Sequence, residues 1–174
     1  MPGKNILALL QGGDRRTIGR SNQIVALVST DTSLFPELIQ YLWSEDASIC
    51  MRAADATEKV TRKMPALLQS YKKELLGLMA ETAQQELRWH LAAMAPRLRM
   101  NAKERQRAAT LLIRYLEDRS SIVKTFALQG LAELAQIDSD LQATVSEILH
   151  TALKSGTPAM KARSRKLLVQ LQEK

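Results

Sequence analysis

The chain of 174 residues is poor in the residues that build disulfide-linked, aromatic-rich or tightly turning folds. Its single cysteine, Cys50, excludes an internal disulfide, and no grouping of cysteine and histidine resembles a zinc site. Seven glycines and five prolines leave little material for the many tight turns of an all-β protein. Aromatic residues make up 4% of the chain, so leucine, alanine, methionine and isoleucine supply most of the apolar side chains and favour helix.

Long apolar runs are also missing. The sequence contains no apolar stretch of 18 residues, so it predicts no membrane-spanning helix and no membrane partner. The apolar run at 6–10 is too short for the hydrophobic region of a secretory signal. A reducing, cytoplasmic setting is therefore the expected one.

The chain does have charge and helical periodicity. Its net charge of +7 raises the expectation of a polyanionic partner, although the same charge also serves solubility. Apolar residues recur at helical spacing, and capping residues separate the runs, so we predict an all-α fold. An N-terminal helical cap at 1–30 precedes helices of two alternating types: first helices at 33–43, 66–81 (bent near Tyr71), 102–117 and 139–154, and second helices at 47–63, 84–95, 121–136 and 157–172.

A cation recurs early in each second helix, at Arg52, Arg88, Lys124 and Lys161. The intervals between these residues are 36, 36 and 37 residues. A repeat of this length is typical of solenoid proteins, in which each helical hairpin covers the apolar face of the next.

An aspartate stands six residues before the cation in two of these repeats, at Asp46 and Asp118. With an aspartate at the turn and a cation early in the second helix, the chain resembles the HEAT repeat family. The resemblance covers roughly residues 31–174 and implies a right-handed α-α superhelix, a HEAT-like solenoid of about four helical hairpins. We predict that residues 31–174 form one continuous repeat domain after the cap at 1–30.

The resemblance also implies that the second helices line a concave surface. With their flanking turns, the four second-helix segments carry net charges of +1, +2, +1 and +4. The four first-helix segments together carry −4. The positive charge is therefore segregated towards the side on which a partner is expected.

A helical wheel of the second helix at 84–95 indicates which residues face that groove. Leu87, Leu91 and Met94 share the core face, which leaves Trp89 on the opposite side. Transferring this register to the other repeats predicts a basic groove with a floor of small side chains, in which Ala92 lies beside Trp89 and Leu128 beside Lys124. Its candidate binding residues are Arg52, Arg88, Trp89, Lys124, Lys161 and Arg165.

Two interpretations of the groove residues stay open. In the HEAT family the recurring cation commonly pairs with turn aspartates, which predicts a structural ladder for Arg52 and Lys124. Arg88 has Thr82 where the aspartate would stand, so we expect it to be freer to bind a ligand. Trp89 either faces the groove or is covered by a neighbouring side chain such as Arg52.

Asp55 falls on a helix face that is apolar in the other repeats. A buried carboxylate needs a partner. We expect the basic cap to supply one from Arg16 or Arg20.

Patterns of catalytic residues are scarce. The two histidines, His90 and His150, are far apart in the repeat, and His90 aligns with Phe126, as expected of a packing residue. Glu86 lies one turn before His90, but two ligands are too few for a metal site. The sequence predicts neither a cofactor nor a bound metal.

The sequence therefore predicts a non-enzymatic binding scaffold that presents a basic concave groove to a protein or peptide partner. The alternative is a nucleic-acid-binding module that uses the same groove, because a charged row beside an indole suits a phosphate backbone and a stacked base. A third hypothesis is a divergent DNA-repair enzyme similar to the HEAT-like alkylpurine DNA glycosylases. In those enzymes an aspartate follows a groove tryptophan by four residues, whereas here Ala93 follows Trp89 at that distance.

Overall fold

The computed structural model describes residues 5–12 and 17–173. No strand occurs in these residues, and the predicted all-α fold is confirmed. Short 3₁₀ segments adjoin several of the helices, among them Pro65–Tyr71 before α5. The ten α-helices within the described residues are α1 (Ile6–Leu10), α2 (Ser21–Thr30), α3 (Phe35–Gln40), α4 (Ala47–Lys63), α5 (Lys72–Glu81), α6 (Gln85–Met94), α7 (Ala102–Tyr115), α8 (Ser121–Ile137), α9 (Gln142–Ser155) and α10 (Pro158–Gln172).

Capping side chains fix where several helices begin, because they satisfy backbone amides that have no partner within the helix. Asp46 accepts a hydrogen bond from the Ser48 amide at 2.8 Å at the start of α4. At the start of α7, Asn101 and Glu104 each accept from the other's backbone amide at 2.9 Å, which forms a capping box. The predicted range 47–63 for α4 is confirmed, whereas the helix predicted at 66–81 divides into the 3₁₀ segment Pro65–Tyr71 and α5.

The chain divides into two compact units, Met1–Ser70 and Tyr71–Lys174. The predicted boundary after residue 30 lies inside the first unit, and the single repeat domain at 31–174 stays a prediction. In the first unit α4 packs against α1, α2 and α3. The largest side chains buried in this unit are Ile6, Leu10, Ile24, Phe35, Leu38, Ile39, Leu42 and Leu68.

Arg52 belongs to the interior of the first unit, with 2% of its surface exposed. Its guanidinium donates to the Leu10 carbonyl at 2.7 Å and to the Thr17 carbonyl at 3.2 Å. Gly19 adopts a φ of +55°, and a Cβ at that position would lie 3.0 Å from Arg52 Nε. Arg52 therefore ties the N-terminal segment to α4.

Asp55 is buried, as predicted. The Ser21 hydroxyl of α2 donates to its carboxylate, and Lys59 forms an ion pair with it at 2.7 Å. Of the two predicted partners, Arg16 lies outside the described residues and Arg20 is exposed beside Ser21. Within the described residues the carboxylate is thus held by a hydroxyl from α2 and by the ammonium group of Lys59, and a pairing with Arg16 stays a prediction.

In the second unit α8 is the central helix and packs against α6, α7, α9 and α10. The approach between α8 and α6 is close at Gly130, where an added Cβ would lie 2.8 Å from the Ala92 carbonyl oxygen. Hydrogen bonds also link successive hairpins at the repeat spacing. The Tyr115 hydroxyl donates to the Met79 carbonyl at 2.8 Å, and the hydroxyls of Ser121 and Thr157 meet at 2.7 Å.

Candidate binding face

Arg88 is held within the second unit and is not freer than the other cations, so that prediction is wrong. Its Nη1 contacts Asp118 Oδ2 at 2.5 Å, and its Nε donates to the Thr82 carbonyl at 2.9 Å. The guanidinium also lies over the Tyr115 ring, 5.4 Å from the ring centroid. The turn aspartate therefore pairs with the cation of the preceding repeat, 30 residues earlier, and not with Lys124 six residues later.

The environment of Asp118 keeps its carboxyl ionised. Burial by itself would raise the pKa of Asp118, but the Ser120 amide and Arg88 donate hydrogen bonds to the carboxylate and hold its pKa below the ordinary value. Burial also raises the pKa of Tyr115, so its hydroxyl stays a donor to Met79. This cluster connects two hairpins and engages the guanidinium of Arg88 on three sides.

The predicted floor of the groove is also wrong in register. Ala92 and Leu128, which were placed beside Trp89 and Lys124, are both fully buried. Arg52 is likewise internal, as described above. Leu87, Leu91 and Met94 do form the core face as predicted, but the buried surface of α6 also extends to Ala92.

The exposed side of α6, α8 and α10 instead carries a row of three side chains, which we call the aromatic row: Trp89, Phe126 and Arg163. The Trp89 and Phe126 ring centroids are 4.9 Å apart and the planes are inclined by 35°. The Arg163 guanidinium lies over Phe126, 5.8 Å from its centroid. All three side chains are half-buried, so each keeps part of its surface open to a ligand.

His90 packs against the buried side of the aromatic row. It is buried, and its ring stacks on the Trp89 ring with the centroids 3.4 Å apart. Its Nδ1 contacts the Glu86 carbonyl at 2.6 Å within α6. In the part of the chain that the structure describes, the Trp89 indole N–H has no hydrogen-bond acceptor, so it is available to a bound molecule.

Polar side chains continue the surface along α8. Arg163 donates to Gln129 Oε1 at 2.7 Å, and Gln129 donates in turn to Glu133 at 2.6 Å. Gln129 and Glu133 then open onto a depression of about 710 Å³. Its other lining residues are Pro96, Gln136, Ile137, Gln170 and Glu173. We call the aromatic row together with this depression the α6–α8–α10 face.

The remaining predicted binding residues lie on α8 and α10, and their meeting in one site stays a prediction. Lys124 is half-buried and lines a separate cavity between α7, α8, α9 and α10. Lys161 is half-buried and Arg165 is exposed on α10. Within residues 5–12 and 17–173, none of these three side chains forms an ion pair. Of the six predicted residues, only Trp89 belongs to the α6–α8–α10 face.

Sequence reasoning missed Phe126 and Arg163. Phe126 follows Trp89 by 37 residues, and Arg163 follows Phe126 by 37 residues. The first three cations are 36 residues apart, so the step from Trp89 to Phe126 is one residue longer. A search for aromatic and cationic residues that allowed this one-residue offset would have found the row.

Neither a metal site nor a membrane-spanning helix emerges from the described residues. No group of three or more histidine, cysteine, aspartate or glutamate side chains there is arranged to hold a metal ion. No helix in that part of the chain combines the length and the apolar character needed to cross a membrane.

Comparison with known proteins provides a structural likeness and no family. No protein-family model matches the sequence, and no curated protein matches it. Among solved structures, the crystal structure of an engineered protein is similar, with a TM-score of 0.67 and 14% sequence identity. The alignment covers 97% of this chain and 80% of that chain. At this identity the likeness concerns the fold alone.

Proposed function

We propose that the chain is a non-enzymatic, HEAT-like binding scaffold whose α6–α8–α10 face takes up a protein or peptide partner. The observation that carries the proposal is the aromatic row. Two aromatic rings are in contact there, an arginine lies at their end, and all three side chains keep part of their surface open. Tryptophan and arginine dominate the binding energy of protein interfaces, and they act best when clustered. A repeat scaffold provides such clustering, because it aligns the second helices of three successive hairpins.

The packing of the second unit supports the HEAT-like arrangement. The helices α6, α8 and α10 are neighbours, and each is preceded in the chain by a helix of the other type. The pairs Tyr115–Met79 and Ser121–Thr157 are both 36 residues apart, which is the repeat length seen in the sequence. A superhelix follows if successive hairpins keep the same small rotation, and the HEAT resemblance implies that it is right-handed.

The dimensions and chemistry of the face favour a peptide. From Phe126 to Ile137 the face runs eleven residues along α8, or about 16 Å at the helical rise. An extended segment of about five residues has that length. Gln129 and Gln170 carry amides that can both donate to and accept from a peptide backbone. The aromatic row would take an apolar side chain, and Arg163 would take a carboxylate.

Selection of displayed peptides on the immobilised full chain tests the proposal. We expect enrichment of sequences that pair an aromatic or large aliphatic residue with an aspartate or glutamate. Phe126→Ala should weaken binding of the enriched peptides, because it removes the ring between Trp89 and Arg163. Ile113→Ala, at an exposed apolar residue on α7, is the control and should leave binding unchanged. Failure to enrich any peptide would overturn the proposal.

A nucleic-acid-binding module is the second candidate. It is favoured by the net charge of +7 and by Lys161 and Arg165, which make no ion pair in the described residues. Glu133 and Glu173 oppose it, because they line the depression and would repel phosphates. Fluorescence anisotropy with single-stranded and duplex DNA at two salt concentrations tests it. Binding that weakens steeply with salt, and weakens further in Arg165→Glu, would support this candidate over the peptide scaffold.

A further inference from the structure

Two successive hairpin interfaces in the second unit can be compared residue by residue. In the first, the α5–α6 hairpin meets α7, and Arg88 is the recurring cation. Arg88 is covered there by the Tyr115 ring and paired with Asp118. A space of about 70 Å³ remains beside Arg88 and Tyr115, and a second space of about 300 Å³ lies beside Arg88 and Asp118. An aromatic ring and a carboxylate thus occupy the middle of this interface.

The next interface, where the α7–α8 hairpin meets α9, lacks these two residues. Lys124 follows Arg88 by 36 residues, whereas Ala152 and Ser155 follow Tyr115 and Asp118 by 37 residues. The cavity at this point has a volume of about 520 Å³ and is lined by Lys124, Ala152 and Ser155 among others. We call it the Lys124 cavity. Its volume lies in the range of small-molecule sites, which is about 300–1,000 Å³.

The partners of Arg88 have no counterpart at Lys124. Across the described ranges 5–12 and 17–173, the Lys124 ammonium group donates to no carboxylate or carbonyl. The Ser155 hydroxyl, at the position of Asp118, donates to the Thr151 carbonyl of its own helix at 3.0 Å. Within these ranges Lys124 thus lacks the fixed partners that hold Arg88, and a ligand that carries a carboxylate would take the place of Asp118 here.

The walls of the Lys124 cavity define what such a ligand carries. Leu116, Leu128, Ile148 and Met160 provide apolar contacts. Two carboxylates, Glu117 and Glu147, stand at the same cavity and are exposed. A ligand with a carboxylate and no positive charge would be attracted by one cation and repelled by two anions. A zwitterion carries a group of each sign, so its carboxylate can pair with Lys124 and its ammonium group with the two glutamates.

We propose that the Lys124 cavity binds a free aromatic amino acid. The ring occupies the space that Tyr115 fills in the preceding interface, and the carboxylate pairs with Lys124 as Asp118 pairs with Arg88. The ammonium group faces Glu117 and Glu147. This cavity shares no lining residue with the α6–α8–α10 face, so the proposal is independent of the proposed function.

Calorimetric titration of the full chain with three probes tests the ligand class. L-phenylalanine carries the ring and both charges, 3-phenylpropionate lacks the ammonium group, and phenethylamine lacks the carboxylate. We expect saturable binding of L-phenylalanine at concentrations of about 1 mM or below and weaker binding of both analogues. Phenethylamine binding as tightly as L-phenylalanine would overturn the proposal, and so would the absence of saturable L-phenylalanine binding.

Two variants and one control variant test whether the Lys124 cavity is the binding site. Lys124→Met should weaken L-phenylalanine binding at least tenfold, whereas Lys154→Met, at an exposed lysine outside the cavity, should not change it. The double variant Ala152→Tyr with Ser155→Asp installs the residues of the preceding interface. It should abolish binding and leave the melting temperature unchanged or higher, because the new side chains fill the cavity and pair with Lys124. Equal binding by wild type and Lys124→Met overturns the proposal even if the double variant does not fold.

Discussion

Replacing Asp118 with alanine should destabilise the second unit, because this carboxylate joins two successive hairpins. Its side chain is 2% exposed and accepts hydrogen bonds from Arg88, from the Ser120 amide at 2.8 Å and from Gln85 Nε2 at 3.3 Å. A hydrogen bond to a charged group contributes about 1.5–3 kcal/mol. The Arg88 side chain is 29% exposed, so water replaces part of the hydrogen bonding that its guanidinium loses with Asp118. We expect the free energy of unfolding to fall by about 2–4 kcal/mol at pH 7.

The pH dependence of this effect has a definite sign. The folded-state pKa of Asp118 lies below its ordinary value, so the unfolded chain takes up the proton first as the pH falls. The stabilisation is therefore fully present above the unfolded pKa of about 3.9 and is lost as the pH falls through the folded pKa. Asp118→Asn, which keeps the shape of the side chain, should differ from wild type at pH 7 and converge with it in strong acid.

Urea denaturation followed by circular dichroism measures both effects. Glu117→Ala is the matched control, because Glu117 is an exposed neighbour that makes no ion pair in the described part of the chain. The reasoning fails if Asp118→Ala and Glu117→Ala shift the free energy of unfolding to within about 0.5 kcal/mol of each other. In that case solvent, and not Arg88, would be the main partner of the carboxylate.

Further predictions concern two glycines and the N-terminal segment. Gly130→Ala should lower stability by about 1–3 kcal/mol in thermal denaturation, because its Cβ would lie 2.8 Å from the Ala92 carbonyl oxygen. Gly77→Ala, where nothing lies within 4 Å of the new Cβ, should stabilise α5 by up to about 1 kcal/mol; equal shifts at the two glycines would contradict the close approach of α8 and α6. Arg52→Met should increase the hydrogen exchange of α1 amides, because the Leu10 carbonyl loses its donor; unchanged exchange would show that α1 is held by other contacts.

Local features of the fold were predictable from the sequence because their causes are local. Asp46 and Asn101 start helices by accepting hydrogen bonds from amides two or three residues away. The core face of α6 was predicted for a similar reason, since one helical wheel decides it. The predicted solenoid remains a prediction, because its handedness depends on rotations between hairpins and not on any single segment.

The contacts of the candidate site were less predictable because they join distant residues. Arg88 meets Asp118 across 30 residues, and the sequence pattern that paired Asp118 with Lys124 gave no sign of this. Trp89 was placed correctly on the side opposite the core, but its contact with Phe126 required knowing how α6 and α8 are offset. An offset of one residue is about 100° of helix rotation, enough to change which residues face the ligand.

The central claim is that a peptide binds at the α6–α8–α10 face and not at the basic groove that the sequence predicts. Arg163 and Arg165 are two residues apart on α10, so Arg163→Glu and Arg165→Glu make the same change of charge on different sides of one helix. The most direct measurement is the dissociation constant of a selected peptide for wild type and for these two variants. We expect Arg163→Glu to weaken binding at least tenfold, which is about 1.4 kcal/mol, and Arg165→Glu to leave it unchanged. Weaker binding by Arg165→Glu with no effect of Arg163→Glu would contradict the claim and restore the predicted groove.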